Sequence, residues 1–70
     1  MDTLRFNTTT KTVTLLSEQS QILKTFDNVS TVKCSELGFY EVFQRPSPEA
    51  SSSLPVFRAP IANTYMSIEQ

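Results

Sequence analysis

The side chains that could do acid–base or nucleophilic chemistry are few in this 70-residue chain. There is no histidine, and Cys34 is the only cysteine, so the thiol has no imidazole to activate it. A single glycine excludes a glycine-rich phosphate loop. The carboxylates form no recognisable motif; they are Asp2, Glu18, Asp27, Glu36, Glu41, Glu49 and Glu69. We therefore expect a protein that is not an enzyme and that holds no cofactor.

The same residue counts limit how the fold can be held together. One cysteine makes no internal disulfide, and a structural zinc site needs about four cysteine or histidine ligands. A chain this short buries only about 60% of its surface. Oligomerisation is the remaining way to enlarge the core, so we expect a homodimer or higher oligomer. Cys34 itself is predicted to be a small buried apolar residue in a reducing compartment.

Charge and hydropathy narrow the class of partner. Six basic and seven acidic residues are scattered singly, with a net charge of −1. A nonspecific nucleic-acid binder would carry a basic stripe, so we expect recognition by short-range packing. No apolar run reaches signal-peptide length or the ~20 residues that span a bilayer. The sequence thus predicts a cytoplasmic protein with no membrane partner.

Two stretches have the period-two alternation of β-hairpins. In the first, pairing Leu4 with Leu15 and Phe6 with Val13 puts four apolar side chains on one face, with a four-residue loop over residues 8–11. In the second, Gly38 ends a three-residue connection, where a left-handed residue is needed. One register there gives three favourable cross-strand pairs: Cys34 with Tyr40, Val32 with Val42, and Lys33 with Glu41.

The segment between the hairpins is predicted to be helical. Ile22, Leu23, Phe26 and Val29 recur at helical spacing, whereas a strand would place Lys24 on an apolar face. We expect about two turns of helix over residues 18–27, covering one side of the sheet. Residues 1–44 then form a compact β-rich core.

The last third of the chain divides into a connector and an arm. Residues 45–54 are rich in serine and proline and predict a flexible connector. Residues 55–70 recover strand character, but Pro55 and Pro60 restrict them to an edge strand or a β arm. The arm either returns to its own sheet as an antiparallel strand or is exchanged with an identical subunit.

The second strand of this second hairpin is apolar on both faces, because Phe39 and Phe43 face one side and Tyr40 and Val42 face the other. Such strands are normally covered on both sides. Either the arm covers the two phenylalanines or another molecule does, and we favour the second. The predicted interface is Phe39, Phe43, Phe57, Ile61, Tyr65, Met66 and Ile68.

These residues also leave a nucleic-acid reading open. The run from Gly38 to Phe43 partly resembles the aromatic strand of RNA-recognition sheets, whose exposed rings stack on bases. It departs from that pattern at Leu37, Tyr40 and Glu41, which stand where basic, small and aromatic residues belong. Candidate phosphate contacts are Lys33, Arg45 and Arg58.

The sequence as a whole predicts an α+β or mostly β fold, with a small antiparallel sheet of four to six strands, one short helix and a C-terminal β arm. The function we expect is a small protein-binding module acting as a homo-oligomer: a regulator, inhibitor or adaptor, a profile frequent among accessory proteins of viruses and bacteriophages. The alternatives are a protein that binds single-stranded nucleic acid and a structural assembly subunit.

Overall fold

A computed structural model describes all residues 1–70, and the chain is mostly β. The only helical element is a 3-10 turn at Ile61–Asn63. Seven strands make up the rest of the regular structure: β1 Asp2–Asn7, β2 Thr12–Leu16, β3 Ile22–Phe26, β4 Val29–Cys34, β5 Phe39–Gln44, β6 Leu54–Pro60 and β7 Thr64–Glu69.

The strands form two sheets, one with the order β3-β2-β1-β7 and one with the order β4-β5-β6. The expected mostly β fold with a C-terminal β arm is confirmed, with seven strands instead of four to six. The arm supplies a strand to each sheet of its own chain. β6 pairs with β5 in the expected antiparallel sense, but β7 pairs with β1 in the parallel sense, which the sequence did not predict.

Both predicted hairpin registers are confirmed. In the first, Leu4 faces Leu15 and Phe6 faces Val13 across the four-residue loop. The Asn7 side-chain oxygen holds this loop by accepting hydrogen bonds from the amides of Thr9 and Thr10. In the second hairpin all three predicted pairs are present, and Gly38 has a φ of 89°.

The helix predicted over residues 18–27 is wrong, because Ile22–Phe26 is strand β3, paired with β2. Lys24 is compatible with this strand because β3 is at the edge of its sheet, where a long side chain can reach out of the interior. Its ammonium lies 5.5 Å from the centre of the Phe57 ring. Asn28, just after the segment that was predicted to be helical, has a φ of 54° and lies where the chain passes from one sheet into the other.

The core lies between the two sheets. Leu4 and Val13 from the first sheet meet Val29 and Val42 from the second, and all four side chains are fully buried. The predicted burial of Cys34 is wrong, because this thiol is exposed. It occupies the last position of β4, an edge strand, where the opposite sheet gives little cover.

Residues 45–53 connect β5 to β6 without regular structure, apart from a turn closed by the Ala50 amide and the Ser47 carbonyl at 3.1 Å. The flexibility of this connector and the exchange of the arm between subunits stay predictions. None of the helical structure is long and apolar enough to cross a membrane.

Candidate functional site

The outward side of the three-stranded sheet carries a line of three β5 side chains: Phe39, Glu41 and Phe43. Val42, between them in sequence, points inward and is fully buried. The two phenylalanine rings are only half-buried. β6 extends the sheet beside β5 instead of folding over it, so the arm does not cover this face. The predicted two-sided apolar strand is therefore present, with one side covered by the other sheet.

Two cations flank these rings. The Lys33 ammonium lies 5.1 Å from the centre of the Phe43 ring, and the Arg58 guanidinium lies 5.2 Å from that of Phe39. Arg58 also donates a hydrogen bond to Glu41 at 3.0 Å. Glu41 faces Lys33 on β4 and Arg58 on β6, and its ion pair is with Arg58. We call the aromatic face the set of five residues Lys33, Phe39, Glu41, Phe43 and Arg58. This face carries one net positive charge and combines hydrophobic with ionic groups.

The edges of the sheets are the second feature, because an exposed edge strand can pair with another chain. Three of the four edges carry something that hinders such pairing. On β3, the exposed Lys24 puts a charged side chain on the edge strand, opposite the buried Leu15. On β4, the register shifts between Val29 and Thr31. On β6, Pro55 lacks an amide donor, as does the proline that ends the strand.

The fourth edge, β7, carries none of these features. Its register with β1 is regular over six residues, and its sequence contains no proline, lysine or arginine. The Thr8 amide, just after β1, donates a hydrogen bond to the carbonyl of Glu69. Because the amides and carbonyls of successive strand residues point alternately to the two sides, those of every second residue counted back from Glu69 point toward β1. The amides and carbonyls of Met66 and Ile68 therefore point away from β1 and have no backbone partner. We call this the β7 edge.

Apolar side chains border the β7 edge. Tyr65 is 61% exposed on the outer side of the strand, and Ile68 is 63% exposed on the other. The exposed area of the whole chain, 4661 Å², is close to the roughly 4400 Å² expected for a monomer of this mass. What suggests a partner is therefore the position of these side chains on an open edge and not the total exposed area.

The remaining predicted site residues lie elsewhere. Phe57 and Met66 pack against the core, and the Phe57 ring lies 5.4 Å from that of Phe26. Ile61 is half-buried in the 3-10 turn. Arg45 follows β5 and lines a cavity away from the aromatic face. The structure thus brings together Phe39, Phe43, Lys33 and Arg58 on one face, with Tyr65 and Ile68 at a separate edge.

The open edge itself was missed in the sequence. The sequence signal for this edge is the absence of proline and basic residues from 64–69, but it can be interpreted only once this segment is known to be the edge strand of a sheet.

Among the ionisable groups, the Met1 ammonium donates a hydrogen bond to Glu18 and also attracts its charge. Together they hold the pKa of the Glu18 carboxyl below its ordinary value. No three metal-ligating side chains come together.

No protein-family model, curated protein or solved structure matches this chain. The aromatic face and the β7 edge are thus the two candidate binding surfaces of a small two-sheet β protein.

Proposed function

We propose that this chain is a small protein-binding module without enzymatic activity, a regulator, inhibitor or adaptor, that works as a homodimer. The observation that carries the proposal is the β7 edge: an edge strand with unpaired backbone groups and two exposed apolar side chains, in a chain whose other three edges are each obstructed. Pairing with a second β7 would satisfy these groups and continue the sheet from one subunit into the other.

The hydrogen-bonding pattern selects one register for this pairing. The Thr64 amide already donates to the carbonyl of Ile61, so Met66 and Ile68 are the residues left to bond. Antiparallel two-fold pairing then sets Met66 opposite the partner subunit's Ile68, and makes about four hydrogen bonds. Ser67 lies on the two-fold axis. Each Ile68 would also contact a methionine across the strands, which adds apolar burial.

Size explains why self-association is assigned to the edge and not to the aromatic face. Three strands about 4.8 Å apart and six residues long give a face of only about 290 Å². A stable interface buries about 800 Å² on each partner. The molecule measures 35 × 26 × 19 Å, so even its broad side barely reaches that area. Backbone pairing at an edge needs less surface, and the aromatic face suits a segment of another protein.

The test is to remove one backbone amide donor from the β7 edge while leaving the hydrogen bonds between β1 and β7 intact. In Ile68→Pro the lost amide points away from β1, so we expect a folded chain whose dimer dissociates at least about tenfold more readily by sedimentation equilibrium. Ile68→Thr keeps the amide and should stay dimeric. A wild-type chain that remains monomeric at millimolar concentration would refute the proposal. Growth beyond a dimer would instead favour the structural assembly subunit.

A second function is favoured by one specific observation: the two half-exposed rings of the aromatic face, each beside a cation. Phe39 and Phe43 are four residues apart, about 13 Å along the strand, a spacing that single-stranded nucleic acid could bridge with stacked bases. This reading predicts binding of a labelled oligonucleotide that weakens steeply with salt and is lost in Phe39→Ala. No binding at low salt would remove it.

The compartment belongs to the same proposal. An exposed single thiol at Cys34 is typical of a reducing environment, so we propose an intracellular location.

A further inference from the structure

A cavity of about 170 Å³ lies where the β1–β2 loop, the β3–β4 turn and the end of β5 meet. Its lining residues are Lys11, Asn28, Val29, Ser30, Arg45 and Pro48. Backbone hydrogen bonds of 2.9 Å fix its walls: the Val29 amide donates to Lys11, and the Arg45 amide donates to Asn28. These two hydrogen bonds hold together the three segments that line the cavity.

The charges around this cavity are unlike those elsewhere on the chain. Four of the six basic side chains are engaged: Arg5 with Glu69, Arg58 with Glu41, Lys24 over Phe57 and Lys33 over Phe43. The two that contact neither a carboxylate nor a ring are Lys11 and Arg45. Both line this one cavity, and no acidic residue does.

The backbone around the cavity is also unusual. Lys11 and Asn28 have φ values of 60° and 54°, and they are two of the three residues other than glycine in the left-handed region. Such a conformation is unfavourable for residues with a Cβ atom, and it persists only where the surrounding structure imposes it. Both of these left-handed residues line the cavity, as does Arg45.

We propose that this cavity binds a small oxyanion of the phosphate type, held between Lys11 and Arg45. A guanidinium offers paired donors to two oxygens of one phosphate, and an ammonium supplies a second charge from another side. A volume near 170 Å³ accommodates a group about the size of benzene, whereas drug-sized ligands occupy at least about 300 Å³. The site therefore fits a phosphate group and not a whole nucleotide. None of its residues belongs to the β7 edge, so it is independent of dimerisation.

The experiment is a titration of the full chain with sodium phosphate, followed by amide NMR at constant ionic strength. We expect saturable shifts at Lys11, Asn28, Ser30 and Arg45. Arg45→Gln and Lys11→Gln should each weaken binding by about tenfold, and Arg45→Lys by about threefold, since it keeps the charge but loses the paired donors. Lys33→Gln removes the same charge from the aromatic face and should change the affinity by less than about twofold.

A parallel titration with O-phosphoserine separates the two sources of a phosphate group. Tighter binding of phosphoserine identifies a phosphate ester, and equal or weaker binding identifies the free ion; either result supports the site. Shifts that do not saturate, or that are the same in a folded Arg45→Gln variant and in the wild type, would overturn the proposal.

Discussion

The packing of the two sheets is tested most cleanly by a matched pair of valines. Val42 is fully buried at the centre of β5, whereas Val56 on the edge strand β6 is 41% exposed. Val42→Ala removes two buried methyl groups, a loss of about 1.6 kcal/mol of transfer free energy. A residual cavity of up to about 50 Å³ adds about 1.2 kcal/mol. We therefore expect the free energy of unfolding to fall by about 2–3 kcal/mol.

That loss is large for this protein, because a 70-residue domain has a total stability of about 4–10 kcal/mol. The corresponding fall in Tm is about 10–20 °C. Val56→Ala makes the same chemical change at a partly solvated site and should cost less than about 1 kcal/mol. Urea unfolding of both variants, at one protein concentration so that association does not bias the comparison, gives the two values. Equal losses would show that the sheets do not enclose Val42.

Three further predictions follow from local features. Gly38→Ala should lower the free energy of unfolding in urea by about 1–2 kcal/mol, because φ is 89°. No atom lies within 4 Å of the added carbon, so this loss reflects the backbone conformation and not a clash. Leu37→Ala, at a residue that is 79% exposed, should leave the stability unchanged. Lys24→Ile should increase light scattering with concentration, because it removes the charged side chain from the β3 edge. The pKa of Glu18 should lie below that of an unstructured glutamate by NMR, and acetylating the Met1 amine should raise it. Because this pKa is lowered by folding, its contribution to stability is present above the unfolded pKa and is lost as pH falls through the folded one.

Much of the fold is determined by local patterns that can be read from the sequence. The period-two alternation around Leu4 and Val13, and the left-handed turn at Gly38, specify both hairpins and their registers. The outward position of Phe39 and Phe43 follows from the second register alone. These features need only residues close together in the chain, and local patterning is sufficient for them.

The failures have a common cause, which is that edge position is not a local property. The apolar spacing from Ile22 to Phe26 fits a helix and a strand equally well, and Lys24 excludes a strand only if the strand is central. The exposure of Cys34 likewise depends on β4 being at an edge. The parallel pairing of β7 with β1 joins residues about sixty positions apart and could not be read from either segment.

Within the candidate site, the rings were predictable and their surroundings were not. Arg58 reaches Phe39 because β6 lies beside β5 in a register that sets Arg58 opposite Glu41, and no local sequence pattern marks that register. The cavity at Lys11 and Arg45 is assembled from three separate segments, and its charge is distinctive only once the other cations are seen to be engaged.

The most direct test of the account is whether two β7 strands meet. A dimer prepared from isotope-labelled and unlabelled chains should give an intermolecular NOE between the Hα atoms of Ser67 and of the partner subunit's Ser67, since these form the non-hydrogen-bonded pair on the axis. We expect this contact, and we expect the Met66 and Ile68 amides to be protected from hydrogen exchange. A dimer without it, or rapid exchange of those amides at millimolar concentration, would contradict the assignment of the β7 edge.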